Sequence, residues 1–411
     1  MILVTGGLGF IGSHTTRALY DLGVPVLPAS RHPRSSGILP SAMEAATVDC
    51  TDPESLFALG RRHRITGIVH LAAAPLGEGT ALDDLEQNTA SAFAILRAAA
   101  AWGVDRVVLA STIGIYAGVD ETPWREDAPL PLASPHPIPA SKKIAEIVAL
   151  ASGLDVVVAR IGGIWGPQGR PSSPFIAAPA LIHDAAAQIR SGETEPTPIH
   201  DTATQSQPGA TNPAHVQAAA TEQASVHEAA PQAHTVANKT ADEPTGGVHG
   251  AVSGGSATRR GGDAGGSGGS AVRDGGRMGG SSRRGGSARR SGGSAGGSGG
   301  SGGAVYGGDG ADILYARDCG AALALLATAP GLRHRLYNVG SGRVTTNAEV
   351  VAAITAVHPE VVLPLADGVS GPGPIPCLDT ARLAAEGWVP SWPLDRAVPD
   401  YLDWLAAGRA R

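Results

Sequence analysis

In VTGGLGFIGSH, Gly6, Gly9 and Gly12 recur at every third residue, directly after an apolar run and at the mouth of a helix. Each glycine has a separate physical task. Gly6 permits a tight turn, Gly9 lets the backbone approach a pyrophosphate, and Gly12 lets helix and strand pack closely. Phe10 and Ile11, which open the helix, are expected to bind the cofactor with the glycines. The glycines alone would mean little; between the first strand and first helix of a βαβ series they read as a dinucleotide cradle. The second strand-like run ends in ASRHPR, with Ser30, Arg31 and Arg34 where an acidic residue would bind both ribose hydroxyls of NAD. A hydroxyl and two guanidiniums suit a 2′-phosphate, so the expected cofactor is NADP rather than NAD.

A second stretch with chemical potential is SPHPIPASKKIAEI, residues 134 to 147. A proline-rich loop carrying His136 leads into an amphipathic helix with Lys142. Histidine titrates near neutral pH, which suits acid–base work, although a surface residue between two prolines is the bland alternative. Thr112 directly follows the strand-like run RVVLAS.

The elements that must position these groups alternate regularly. Strand-like runs at 2–5, 24–30, 46–50, 67–73, 106–111 and 155–160 are separated by helical stretches, among them Phe10 to Leu22, one starting at Asp52-Pro53, and Leu85 to Trp102. Continuous apolar runs between helices imply a parallel sheet covered on both faces. The expected fold is therefore α/β, a Rossmann-type doubly wound parallel sheet with a smaller C-terminal α/β lobe. The expected boundaries are 1–166 for the nucleotide-binding domain, and 167–194 with 305–411 for the smaller lobe. Some elements of that lobe would return to the first domain.

Between these pieces, residues 195–304 contain no Leu, Phe, Tyr or Trp, and from about Gly246 the text is nearly all Gly, Ser, Ala and Arg. Such a segment buries too little apolar surface to offset the entropy of ordering it, and it reads as a disordered insert. About 300 residues remain, enough for one good core and a smaller lobe. The arginine pairs of the insert read as a solvated linker, with transient binding of RNA or an acidic surface as the alternative. The net charge of −6 argues against a nucleic-acid binder for the folded part. Three distant cysteines form neither a disulfide framework nor a zinc pattern, so no metal is expected and a reducing cytoplasm suits the chain. Met1 leads straight into a strand and no apolar run is long enough to span a bilayer; neither a leader nor a membrane contact is expected.

Taken in order, several segments resemble the extended short-chain dehydrogenases, the NAD-dependent epimerases and dehydratases typified by UDP-galactose 4-epimerase. TGGLGFIGSH, VDCTD, HLAA, NTASAFAILRAA, ASTIGIYAG, SKKIAE, RIGGIWGP, YARDCGAAL and YNVGSG carry the resemblance over about 1–183 and 305–411. It implies that Asp49 and Cys50 lie against the adenine, that Leu71, Ala72 and Ala73 line the cofactor cleft, and that Asn88 belongs to the same site. It implies that Thr112 touches a substrate oxygen and that Lys142 holds the nicotinamide ribose. By analogy it also implies a homodimer through the helices that start near Asn88 and Lys142.

The departures bear on function. The family's acid/base is a tyrosine four residues before the lysine, and here that position is Ile138. Isoleucine exchanges no proton. Either His136, Thr112 with a water, or Tyr116 replaces it, or the hydride chemistry persists with a substrate that needs little proton help. The arginines that clamp a nucleotide diphosphate in relatives are missing before Asp312 and between Gly368 and Leu378, and Gly163 replaces an asparagine; Arg170 could stand in. The expected function is hydride transfer on a hydroxyl or carbonyl of a sugar-like or other small substrate, with an altered acid/base. The alternative is a catalytically inactive NAD(P)-binding sensor or scaffold.

Overall fold

The computed structural model describes residues 1–33, 36–74, 80–134, 136–171, 173, 175–192, 304–371 and 376–408. The expectations for Arg34 and for 195–303 lie outside these residues.

Seven strands form one parallel sheet: β1 (Ile2–Thr5), β2 (Val26–Ser30), β3 (Ala46–Thr47), β4 (Gly67–His70), β5 (Arg106–Thr112), β6 (Val156–Ile161) and β10 (Leu336–Val339). Their order is β10-β6-β5-β4-β1-β2-β3, and every neighbouring pair is parallel. The order reverses at β1, the switch point where open α/β sheets bind their ligands. The reason for parallel pairing is visible in the strands: β1, β4 and β6 are buried along their whole length.

Helices cover both faces. On one lie α2 (Pro53–Arg62), α3 (Ala81–Trp102) and α4 (Pro137–Ala151), around a core with Leu3, Leu56, Ile68, Ile95, Leu109 and Val158. On the other lie α1 (Phe10–Asp21) and α6 (Ala316–Thr328), over Val4, Leu19, Val108, Val157 and Leu323. The starts are locally encoded. Asp52 accepts from Glu54 N ahead of Pro53 in α2, and Thr80 with Asp83 forms a capping box on α3. That box starts α3 four residues before the expected Leu85.

One expectation changes. The run at 46–50 pairs only over Ala46–Thr47, because Asp49 turns the chain by accepting from Thr51 N and its hydroxyl. The stretch RLYNVGSG is an element of the later segment that lies in the main sheet, supplying β10 beside β6.

The smaller core gathers α5 (Ala178–Ser191), α7 (Asn347–Val357) and α9 (Leu394–Ala406) around Trp165, Leu181, Ile354 and Tyr401. Strand β7 (Gly163–Trp165) pairs in parallel with β9 (Ile313–Tyr315), so chain on either side of 193–303 meets directly. A second short pair joins β8 (Gly310–Ala311) to β11 (Thr345–Thr346). The short helix α8 (Ala381–Ala385) lies near β10. Among the described residues no helix is long and apolar enough to cross a membrane.

Candidate active site

The groups singled out in the sequence gather along the carboxyl edge of the parallel sheet. Gly6 takes φ +67°, a conformation open chiefly to glycine, and sits against the Leu71 carbonyl and Ala72 N. Gly9 is the N-cap of α1 and no side chain caps that helix. Its first-turn N–H groups, from Phe10 onward, therefore face outward with the positive end of the helix dipole behind them. A methyl on Gly12 would drive into the Gly6 carbonyl oxygen, so the tight loop–helix packing needs glycine there. An uncapped helix start beneath a bare Gly9 fits a pyrophosphate.

On the adenosine side, Ser30 ends β2 half-buried and Arg31 is exposed beyond it. The Asp49 carboxyl, held below its usual range chiefly by the backbone and hydroxyl of Thr51, also feels Arg31 and His32. Cys50 is buried; burial pushes its thiol up to about 12, while hydrogen bonds from Thr5 and Ser91 pull the other way. The thiol belongs to a packed layer beneath this edge.

Sequence reasoning passed over the centre of that layer. His70, at the end of β4, is buried between the Thr5 hydroxyl (Nδ1, 2.8 Å) and the Ser91 hydroxyl (Nε2, 3.2 Å). Desolvation, and then Lys142, hold its imidazolium down at about 3, so it is neutral. The Thr5 oxygen meanwhile accepts from Leu71 N and Ala72 N, tying the glycine loop's strand to the cleft-lining segment. Asn88 does the same one step further on, its Oδ1 accepting from Ala74 N at 2.9 Å. Ala73 stands exposed between them.

At the opposite end Thr112 caps a 3-10 turn (Ile113–Tyr116), its Oγ1 accepting from Gly114 N at 3.3 Å. Gly114 lies against Pro139 of α4, which brings Thr112 to the lysine helix. His136 is the N-cap of α4: its Nδ1 accepts from Ile138 N at 3.3 Å. Burial pulls its imidazolium below the usual histidine range and Asp84, on α3, opposes that shift. Lys142 makes no hydrogen bond among the described residues, and desolvation brings its ammonium down to about 8 against a smaller opposing effect of Glu146.

Tyr116, one of the acids that the sequence allowed, is held away from solvent by its partners. It is fully buried, its hydroxyl accepts from Arg160 Nη1 and donates to Asn338 Oδ1 (2.8 Å each), and burial raises it to about 12. The same Arg160 grips Glu146 of α4 with Nε and Nη2. The signal for this pair was present: an arginine in the otherwise apolar run VVVARI, facing an acid one helical turn after Lys142. Among the described residues no cluster of His, Cys, Asp and Glu could hold a metal.

The model of the NAD dependent epimerase/dehydratase family matches residues 2–207. A UDP-glucose 4-epimerase of Azospirillum brasilense is 34% identical over 210 residues, 47% of this chain and 58% of that protein. A dTDP-glucose 4,6-dehydratase of Streptomyces griseus is 31% identical over 196 residues, 41% of this chain and 56% of its own length. The chain thus spans little more than half the length of these curated relatives. Among solved structures, the Thermus thermophilus UDP-glucose 4-epimerase complex with NAD superposes with a TM-score of 0.58, at 21% identity, over 98% of this chain and 97% of that one.

Proposed function

Because the chain belongs to the NAD dependent epimerase/dehydratase family, we propose that it oxidises and reduces a hydroxyl or carbonyl carbon of a sugar-like substrate with a bound nicotinamide cofactor. One observation carries the reading: the uncapped start of α1 under Gly9 shares a sheet edge with an amine that has no hydrogen-bond partner among the described residues, Lys142. The cofactor would supply the hydride acceptor and donor. Gly6, Gly9, Phe10, Ile11 and Gly12 would hold its pyrophosphate. Asp49, Cys50, Leu71, Ala72, Ala73 and Asn88 would frame the cleft, and Lys142 would hold its nicotinamide ribose. Thr112 would meet the reacting oxygen.

The end of β2, with Ser30 and the exposed Arg31, favours a 2′-phosphate and hence NADP. The Thermus relative holds NAD. The relatives named above are enzymes of UDP-glucose and dTDP-glucose, so a sugar nucleotide is the first substrate class to try. The protein would work as a homodimer through α3 and α4.

Ile138, at the tyrosine position of the family, favours a second reading in which the cofactor is bound without turnover. Fluorescence titration with NADPH and NADH, followed by addition of UDP-glucose or UDP-galactose to the NAD⁺ or NADP⁺ form, separates the two. Saturable binding of one cofactor and its reduction by a sugar nucleotide support the enzyme. Binding without reduction by any hydroxyl substrate supports the sensor, and binding of neither cofactor sinks both.

A further inference from the structure

We propose that Lys142 itself carries the proton at this site, its ε-amine exchanging hydrogen with the substrate oxygen that a phenol at residue 138 would otherwise serve. The inference rests on the enzyme reading above and assigns its missing acid/base.

The local geometry removes the other candidates in turn. Tyr116 is locked between Arg160 and Asn338. His136 spends Nδ1 as the acceptor that caps α4, so its neutral form carries the proton on Nε2. Taking up a second proton would set Nδ1–H against Ile138 N–H, and accepting one at Nε2 would require the same loss of the cap. Thr112 accepts from Gly114 N and can relay a proton, but a hydroxyl does not hold a charge near neutral pH.

Lys142 is free of these ties. Its neighbour Lys143 donates to the carbonyls of Pro131 and Ala133, at 2.5 and 3.1 Å, and pins the 131–133 loop. Lys142 has no such partner among the described residues. The charged and titratable groups around it leave it free. Glu146, on the same helix, is occupied by Arg160 of β6 at 2.8 Å with both side chains about 5% exposed. His70 of β4 is neutral between two hydroxyls. Asp84 of α3 acts on His136. A desolvated amine brought down to about 8, with no hydrogen-bond partner among the described residues, holds a usable lone pair and a usable proton near physiological pH, and it can do so while its other hydrogens meet the ribose.

The step balances. A bound nicotinamide would supply the acceptor for the carbinol hydride, and the neutral Lys142 amine would take the O–H proton, so that the alcohol would become a carbonyl as the cofactor gained two electrons. The Lys142 ammonium would return the proton when the hydride came back.

The chain contains only three lysines, Lys142, Lys143 and Lys239, which makes the amine directly observable. In full-length Lys143→Arg/Lys239→Arg protein labelled with ¹³C-lysine and saturated with cofactor, a single ε-carbon signal reports Lys142. A titration midpoint below about 9 supports the proposal, against an ordinary value of about 10.4; a midpoint at or above about 9 overturns it. With UDP-glucose and UDP-galactose as probes, the rate of cofactor reduction should rise with pH through the same midpoint. Lys142→Arg, which keeps ribose hydrogen bonds but cannot lose its proton, should retain cofactor affinity within about threefold and lose about 100-fold or more in that rate. Reduction by Lys142→Arg at the original rate, or loss of the pH limb in His136→Asn, would also overturn it. A wild type that binds cofactor yet reduces it with neither sugar sinks the sugar-nucleotide reading; the midpoint then judges the lysine alone.

Discussion

A methyl added at Gly9 meets only the Gly6 carbonyl oxygen, at 3.1 Å, whereas at Gly12 it drives into that same oxygen. The two alanine variants should therefore fail differently. Gly9 has φ −79° and ψ −177°, which alanine adopts freely. Gly9→Ala should fold with a loss of no more than about 1 kcal/mol, while its methyl holds a pyrophosphate off the helix start and lowers cofactor affinity about 10-fold or more. Gly12→Ala should lose stability outright, because the clash is with backbone. Thermal melts beside NADH titrations check both, and an unaltered affinity in Gly9→Ala would count against the cradle. The turn at Gly6 and the close packing at Gly12 were legible in the sequence because they depend on local backbone and on spacing. The state of a side chain was not: His136 and Tyr116 both read as candidate acids, and only their partners, Ile138 N and the Arg160–Asn338 pair, reveal how each is held.

Helix α4 shows how an element is held so that one residue is presented. Its N-terminus is fixed by the His136 cap with Pro137 in the first turn, and its middle by the Glu146–Arg160 pair. Arg160 also reaches Tyr116 and the Glu126 carbonyl, while Asn338 of β10 takes the Tyr116 proton and donates to the Trp124 and Asp379 carbonyls. One buried network thus ties the lysine helix to β6, β10 and the 124–127 segment. Removing one charge leaves the other buried and unpaired, which costs about 3–5 kcal/mol. Glu146→Leu should lose about that much in urea unfolding. The double variant Glu146→Leu/Arg160→Met should regain much of the loss; equal loss in single and double variants would show that the pair's own hydrogen bonds, rather than the stranded charge, dominate. The helices themselves were legible from caps and periodicity. An arginine inside the apolar run VVVARI signalled a buried partner, but only the fold shows that Arg160 meets Glu146, 14 residues away on another element.

For the molecule as a whole, apolar side chains left uncovered on the two helices proposed to dimerise are informative. On α3 Leu82 is 76% and Phe93 43% exposed, and on α4 Ile144 is 42% and Ile147 66% exposed. Exposed apolar residues on two neighbouring helices suit a two-fold contact. Sedimentation velocity should find a dimer at micromolar concentration, and Ile147→Glu should shift it to monomer. A wild type that stays monomeric at tens of micromolar would remove the homodimer.

By itself, the sequence determined the α/β class, the glycine turn between β1 and α1 and the helix start at Asp52. These follow from alternation, spacing and capping, all of which act within a few residues. Tertiary structure decided the rest. It placed LYNV in the main sheet beside β6, cut the third strand to two residues, and buried Tyr116 in a network spanning four segments. It also left Lys142 without a described hydrogen-bond partner by giving Glu146 to Arg160. Strand partners, burial and the proton affinity of an amine depend on which distant residues come together, and that is set only when the chain closes on itself.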